Sequence, residues 1–178
     1  AIPTVVAAQM WRFLMNDAYG TVNYLLFGTE TASYVPWLAY PATALGAIIL
    51  AAIWKTASFA ALLILAGLQV IPPEIHQAGL VDGAGSWQRF RHITWPLIRP
   101  AVMVALLFRT IDAFRVFDLA YVLTQGGPAD ATNVLQLYGY KKMFVEGWMG
   151  YGSAISVCIF TMALFLAVVY VRAVGRRL

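Results

Sequence analysis

Apolar positions in this chain come in long runs, broken by short polar segments, rather than in the spaced pattern of a surface helix or strand. A spanning helix needs about 20 mostly apolar residues. Three runs reach that length: 41–71, 100–123 and 151–171. Residues 1–14 supply a fourth, shorter stretch, which looks like the end of a span whose start is missing. The run 41–71 could be cut in two, but "ATALGAIILAAIW" alone is too short to cross, so one tilted or kinked span is expected. Between the runs lie linkers at 15–40, 72–99 and 124–150, and a tail at 172–178. In 124–150 a Gly-Gly-Pro turn precedes Val134, Leu135, Leu137, Tyr138, Met143 and Phe144, which predict a short helix lying on the membrane face or on a neighbouring helix.

Composition agrees with the pattern. Of 178 residues 61% are hydrophobic and 11% charged, with mean hydropathy +0.73, whereas soluble domains carry about 25% charge. The fold class is therefore an all-α polytopic membrane protein, expected as a single domain over 1–178. One cysteine, Cys158, sits in an apolar run, so no disulfide forms within the chain. The opening "AIPTVVAAQMWRFL" has no basic region and cleavage site, and the chain is expected to be the C-terminal part of a longer membrane protein.

Orientation follows Lys and Arg. Linker 72–99 carries Arg89, Arg91 and Arg99, and the tail carries Arg172, Arg176 and Arg177. Linker 15–40 has neither residue type, only Asp17 and Glu30, and in 124–150 Lys141 and Lys142 are balanced by Asp130 and Glu146. Linker 72–99 and the C-terminus are thus expected in the cytoplasm and the other two linkers outside. Tyr34, Trp37 and Tyr40, with Trp148 and Tyr151, suit an outer aromatic belt.

Charge inside the runs is the first chemical clue. Lys55 lies mid-span, where an ionisable side chain costs roughly 2.5–3.5 kcal/mol and usually faces a cavity or a partner. Either it pairs with another helix or it meets a polar solute. "FRTIDAFRVFDLAYVL" sets Arg109, Asp112, Arg115 and Asp118 three apart, so neighbours of opposite sign are in reach along a helix. Either they form an ion-pair ladder that permits insertion, or some of them, with Phe114 and Phe117, line a path for a polar molecule. Aromatic rings beside hydrogen-bonding groups suit a sugar.

The second clue is "PPEIHQAGLVDGAGSWQRFRHITWPLIRP". Pro72 and Pro73 end the first long run, Glu74 suits the first turn of a short helix, "DGAG" is a turn, and Ser86 is the expected N-cap of a second helix. That helix carries Trp87, Phe90, Ile93 and Thr94 on one face. A helix-turn-helix results, serving either as a docking element or as an interfacial element on lipid.

This stretch closely resembles the EAA loop of ABC importer permeases, matching at Ala78, Asp82, Gly83, Ala84, Phe90, Ile93 and Pro96. "WKTASFAALLILAGLQVIPPE" and "FRVFDLAYVLTQGGPADAT" resemble the carbohydrate-uptake branch, specifically the maltose-permease-like partner with T-x-G-G-P. The resemblance covers nearly the whole chain. It implies a type I importer permease fold in a prokaryotic inner or plasma membrane, with 72–99 as the cytoplasmic coupling loop.

The resemblance implies that Glu74, Gln77, Ala78, Gly79, Asp82, Gly83, Ala84, Trp87, Phe90 and Ile93 face an ATPase subunit. The family pattern has an acid where Gln77 stands, and Glu74, three residues earlier, is the candidate replacement. It places the solute near Ala52, Lys55, Thr56, Phe59, Ala113 and Val116, beside the charges Arg109, Asp112 and Arg115. It implies a second permease, two ATPase subunits that bind ATP and Mg, and an extracytoplasmic solute-binding protein. The sequence has no Walker-type phosphate loop, nucleophile–base pair or metal cluster, so no enzymatic activity and no bound cofactor are expected of this chain. The expected cargo is a di- or oligosaccharide. A glycerophosphodiester or polyol importer, and a membrane scaffold or anchor, are the alternatives.

Overall fold

A computed structural model describes residues 2–175, and Arg176 and Arg177 of the basic tail lie outside it. The described residues form helices and turns: α1 (Thr4–Leu14), α2 (Thr21–Phe27), α3 (Pro41–Gln69), α4 (Pro73–Val81), α5 (Ser86–Arg89), α6 (Trp95–Phe114), α7 (Asp118–Leu123), α8 (Leu135–Tyr140) and α9 (Met149–Gly175). Among them, Pro41–Gln69 and Met149–Arg172 are long and apolar enough to cross a membrane. Two compact units share the chain, one built from 1–55 and 113–162, the other from 56–112 and 163–178.

In the first unit small side chains let helices meet. Ala8 of α1, Ala51 and Ala52 of α3 and Ala120 of α7 are buried together with Ile48, Leu119, Leu123 and Leu137. Alanines at such contacts bring helix axes close, which is how helices associate where lipid removes the hydrophobic drive. Trp11 packs edge-on against Trp54, with ring centroids 5.9 Å apart. The short helix expected in 124–150 is α8, continued by a wide π turn over Lys141–Val145. It lies on a neighbouring helix, α9. A Cβ on Gly139 would stand 3.1 Å from Ile155 Cγ2, and one on Gly152 would stand 2.6 Å from Met143 Cβ.

The linker 15–40 closes on one residue. Asn23 is fully buried. Its amide nitrogen donates to the carbonyls of Val35 (3.0 Å) and Asn16 (3.4 Å), and its oxygen accepts from Val35 N (3.2 Å) and Trp37 Nε1 (2.8 Å).

In the second unit α3 and α6 touch where Gly67 faces Ala101, a Cβ on Gly67 falling 2.4 Å from Ala101 Cβ. Phe59 meets Phe108 edge-on at 6.3 Å, and Thr110 Oγ1 lies 3.1 Å from Tyr170 Oη.

The run 100–123 is not one helix. Between α6 and α7 the chain breaks at residues 115–117, and Phe117 has φ −127° and ψ −60°. Val116 and Phe117 pack against the buried cluster of the first unit, which α7 enters through Leu119, Ala120 and Leu123. That burial, rather than a Gly or Pro in the sequence, sets the break. The N-cap of α5 also differs from expectation: it is Gly85, whose N–H donates to Gln88 Oε1 at 3.0 Å, while Ser86 is the first helical residue.

Candidate functional site

The helix-turn-helix at 73–94 lies in the second unit. Glu74 stands in the first turn of α4 behind Pro72 and Pro73. The helix ends in a closed C-terminal turn: Gly83 N–H donates to Leu80 O (3.0 Å) and Ala84 N–H to Gly79 O (2.9 Å). This pattern needs its pivot in the left-handed region, and Gly83 sits there with φ +74°. The Asp82-Gly83-Ala84 stretch is thus a helix stop set by backbone chemistry.

α5 folds back over α4 because Gly79 is bare. A Cβ there would stand 2.9 Å from Ile93 Cδ1 and 3.4 Å from the aliphatic stem of Arg89. From α5 the chain passes through a π turn, Phe90–Thr94, straight into α6, with Trp95 N–H donating to Phe90 O. Pro96 accounts for the widening, since it has no N–H for the His92 carbonyl and its ring crowds that oxygen.

The outer surface of this element is apolar and uncovered. Val81 is 88% exposed, Trp87 70% and Leu80 56%. Trp87 stacks on Phe90 at 5.6 Å, and Phe90 leans toward Trp95 at 6.5 Å. Glu74, Gln77, Ala78 and Asp82 are exposed beside them, whereas Gly79 is buried and Ala84 and Ile93 are half-buried.

The residues expected along a solute path divide between the units. In the first, Ala52 is part of the buried core, Val116 packs against it and Arg115 is exposed. Lys55 Nζ donates to the Thr4 hydroxyl, joining α3 to α1. Lys55 therefore has a helix-to-helix partner, but a neutral one. Ala113 is exposed near the end of α6. In the second unit Phe59 is 54% exposed, Thr56 and Arg109 are half-buried and Asp112 is exposed.

The ladder of alternating charge does not form. Among the described residues the ion pairs are Lys141–Asp130 (3.6 Å) and Lys142–Glu146 (2.7 Å). The break at 115–117 takes Asp118 off the helical repeat that would have set it one turn beyond Arg115. In the paired linker the Glu146 carboxylate holds the Lys142 ammonium above its ordinary range. Among the described residues no group of His, Cys, Asp and Glu is placed to hold a metal ion.

Two features escaped the sequence reading. Arg12, in α1, donates to the carbonyl of Val122 at 3.4 Å. Asn23 is the anchor of the 15–40 linker. An asparagine between apolar neighbours carries no spacing that marks it.

Comparison with known proteins gives consistent results. Residues 1–178 match the family described as binding-protein-dependent transport system inner membrane component. The chain is 46% identical over 176 residues to the trehalose/maltose transport system permease protein MalF of Thermococcus litoralis, covering 99% of this chain and 59% of that protein. It is 42% identical to the sulfoquinovosyl glycerol transport system permease protein SmoG of Agrobacterium fabrum, covering 98% and 56%. Its fold superposes on a chain of a bacterial ABC transporter that imports the acidic polysaccharide alginate, with TM-score 0.88, 25% identity, and 99% and 62% coverage. A second alginate transporter structure, in complex with an alginate pentasaccharide-bound periplasmic protein, matches with TM-score 0.84 and 26% identity, covering 95% of this chain and 59% of that one. The chain thus spans a little under two thirds of the length of each of these relatives.

Proposed function

The chain belongs to the family of binding-protein-dependent transport system inner membrane components, and from that membership we propose that it is part of the membrane-spanning subunit of an ATP-driven saccharide importer. It forms half of a translocation path with a second permease. Two ATPase subunits that bind ATP and Mg hydrolyse the nucleotide, and an extracytoplasmic binding protein delivers the sugar. Residues 72–99 and the C-terminus face the cytoplasm. The relatives are permeases of sugar transporters by name, which supports a saccharide cargo.

The observation that carries the coupling role is the α4–turn–α5 element: a rigid helix stop at Gly83 that leaves Leu80, Val81 and Trp87 uncovered. Exposed apolar surface of this kind marks an interaction site. Its continuity through the π turn into α6 lets a push on α4 and α5 reach α6. Closing the ATPase pair then moves the element, the spans open outward, and hydrolysis reverses the motion. Gln77 cannot make an ionic contact with the ATPase; Glu74, one turn earlier and also exposed, takes that part.

The test is Gly83→Val in the complete complex reconstituted in proteoliposomes. A β-branched residue in the left-handed region is strained by about 1–2 kcal/mol, and the helix stop should re-form elsewhere. ATP-dependent sugar uptake should fall at least tenfold, while Gly83→Asn, which tolerates that region, keeps most of it. Full uptake by the valine variant would remove the lever role.

The solute path is proposed to use Lys55 among the residues of the first unit. Lys55→Met should lower uptake several-fold while the complex still assembles. Unchanged affinity and rate would assign Lys55 to helix packing through Thr4 alone. An anionic cargo, such as a glycerophosphodiester, is the second reading, favoured by the absence of an acidic partner within ion-pair distance of Lys55 among the described residues. Uptake competition by neutral sugars against phosphate esters separates the two.

A further inference from the structure

A cleft of about 310 Å³ opens in the first unit, bounded by the end of α1, the 15–40 linker and the end of α7. Arg12, Asn16, Asp17, Trp37, Leu123 and Thr124 line it. Nothing in the solute path or the coupling element uses these residues. The volume falls in the range of small-molecule sites, which pair apolar walls with a few fixed polar groups.

The chemistry of the wall is specific. Trp37 is held by its Nε1–H on Asn23 Oδ1 at 2.8 Å, and Asn23 is itself fully buried. The indole is thus a fixed aromatic wall. Arg12 is tethered through one nitrogen to the Val122 carbonyl, which leaves its other N–H groups for a ligand. Asn16 uses its oxygen on the N–H groups of Ala18 and Tyr19, leaving its amide N–H groups as donors. Asp17 has neither hydrogen-bond nor ion-pair partner among the described residues, although Arg12 lines the same cleft. Arg12 and Asp17 are both exposed on the cleft and are not paired with each other, so both remain open to a ligand seated between them.

A sugar ring meets each of these groups. Its C–H face stacks on an indole, a carboxylate accepts from adjacent hydroxyls, and a guanidinium or amide donates to ring and hydroxyl oxygens. An anion would be repelled by Asp17, a cation by Arg12, and a purely apolar ligand would strand both. We infer that this cleft is an outer saccharide subsite, which holds one sugar unit after the binding protein releases it and before it enters the membrane path. This rests on the saccharide-importer reading above and on linker 15–40 facing outward.

The test uses the complete complex in detergent, trapped with ATP and vanadate, and radiolabelled maltose and trehalose in equilibrium dialysis. Asp17→Ala should weaken binding about tenfold, the effect of losing hydrogen bonds to a charged group, and Asp17→Asn should weaken it less. Arg12→Gln provides an independent second variant with the same expected direction. Association of the sugar-free binding protein is measured on the same samples and should change less than twofold. Equal saccharide affinity in all variants overturns the subsite and leaves the importer reading standing. A parallel fall in association with the sugar-free binding protein also overturns it, because the cleft would then seat a loop of that protein. A wild-type complex that neither binds nor takes up either sugar fails the saccharide reading itself, and the subsite falls with it.

Discussion

Gly67→Val should destabilise the contact between α3 and α6 in the second unit. A Cβ at Gly67 meets Ala101 Cβ at 2.4 Å, and Ala101 has no further side-chain torsion that could move its methyl aside. The two backbones must separate, and overpacking of this kind costs about 1–3 kcal/mol or more. The contact sits close to the ends of α3 and α6 that flank the α4–turn–α5 element, so separation there loosens both of its anchors. Thermal unfolding of the purified complex should shift down by several degrees, and ATP-coupled uptake should fall with it. Gly67→Ala should shift unfolding in the same direction by less, and adding Ala101→Gly to it removes the clash and should restore most of that smaller loss. A Gly67→Val complex that melts with the wild type would show that α3 and α6 do not approach as described.

Asn23→Leu is expected to open the 15–40 linker. The leucine fits the volume but abandons two donors, Val35 N–H and Trp37 Nε1–H, and two acceptors, the carbonyls of Asn16 and Val35. Each buried polar group left unpaired costs about 1–3 kcal/mol. The backbone cannot easily rearrange around the loss. Gly20 lies so close to the Asn16 and Leu14 carbonyls that an added Cβ would stand 2.3 and 2.6 Å from them. Limited proteolysis should cut the variant within 15–40 under conditions that leave the wild type intact. Unchanged protease resistance would mean that the amide is replaceable by apolar packing.

The contrast between these two sites explains what the sequence disclosed. The long runs at 41–71 and 151–171 are legible because hydropathy over about 20 residues is a local property. The Gly83 stop is legible because glycine enters that backbone region without steric cost and commonly ends helices there. The break at 115–117 is not, since the segment holds no Gly or Pro to mark it and the bend is set by the burial of Leu119, Ala120 and Leu123. The three-residue charge spacing therefore suggested a ladder that a broken helix cannot present. Ser86 looked like a cap because its hydroxyl could serve, but Gln88 reaches back to Gly85 instead. Trp37 suited a lipid-facing belt by position, yet its N–H is claimed by Asn23 and it lines a cleft with Arg12. The Trp37–Asn23 bond spans 14 positions and the Arg12–Val122 bond 110, and no short pattern encodes either.

The Asn23 clasp has one more consequence. An amide does not titrate, and its four hydrogen bonds involve no formal charge. With residues 15–40 on the outer face, as proposed, the linker meets the one compartment whose acidity and salinity the cell does not regulate. A clasp built from a carboxylate and an amine would slacken with added salt and with acid that protonates the carboxylate. This one keeps the same grip through such changes, so the position of Trp37 beside the cleft stays constant while the surrounding medium changes.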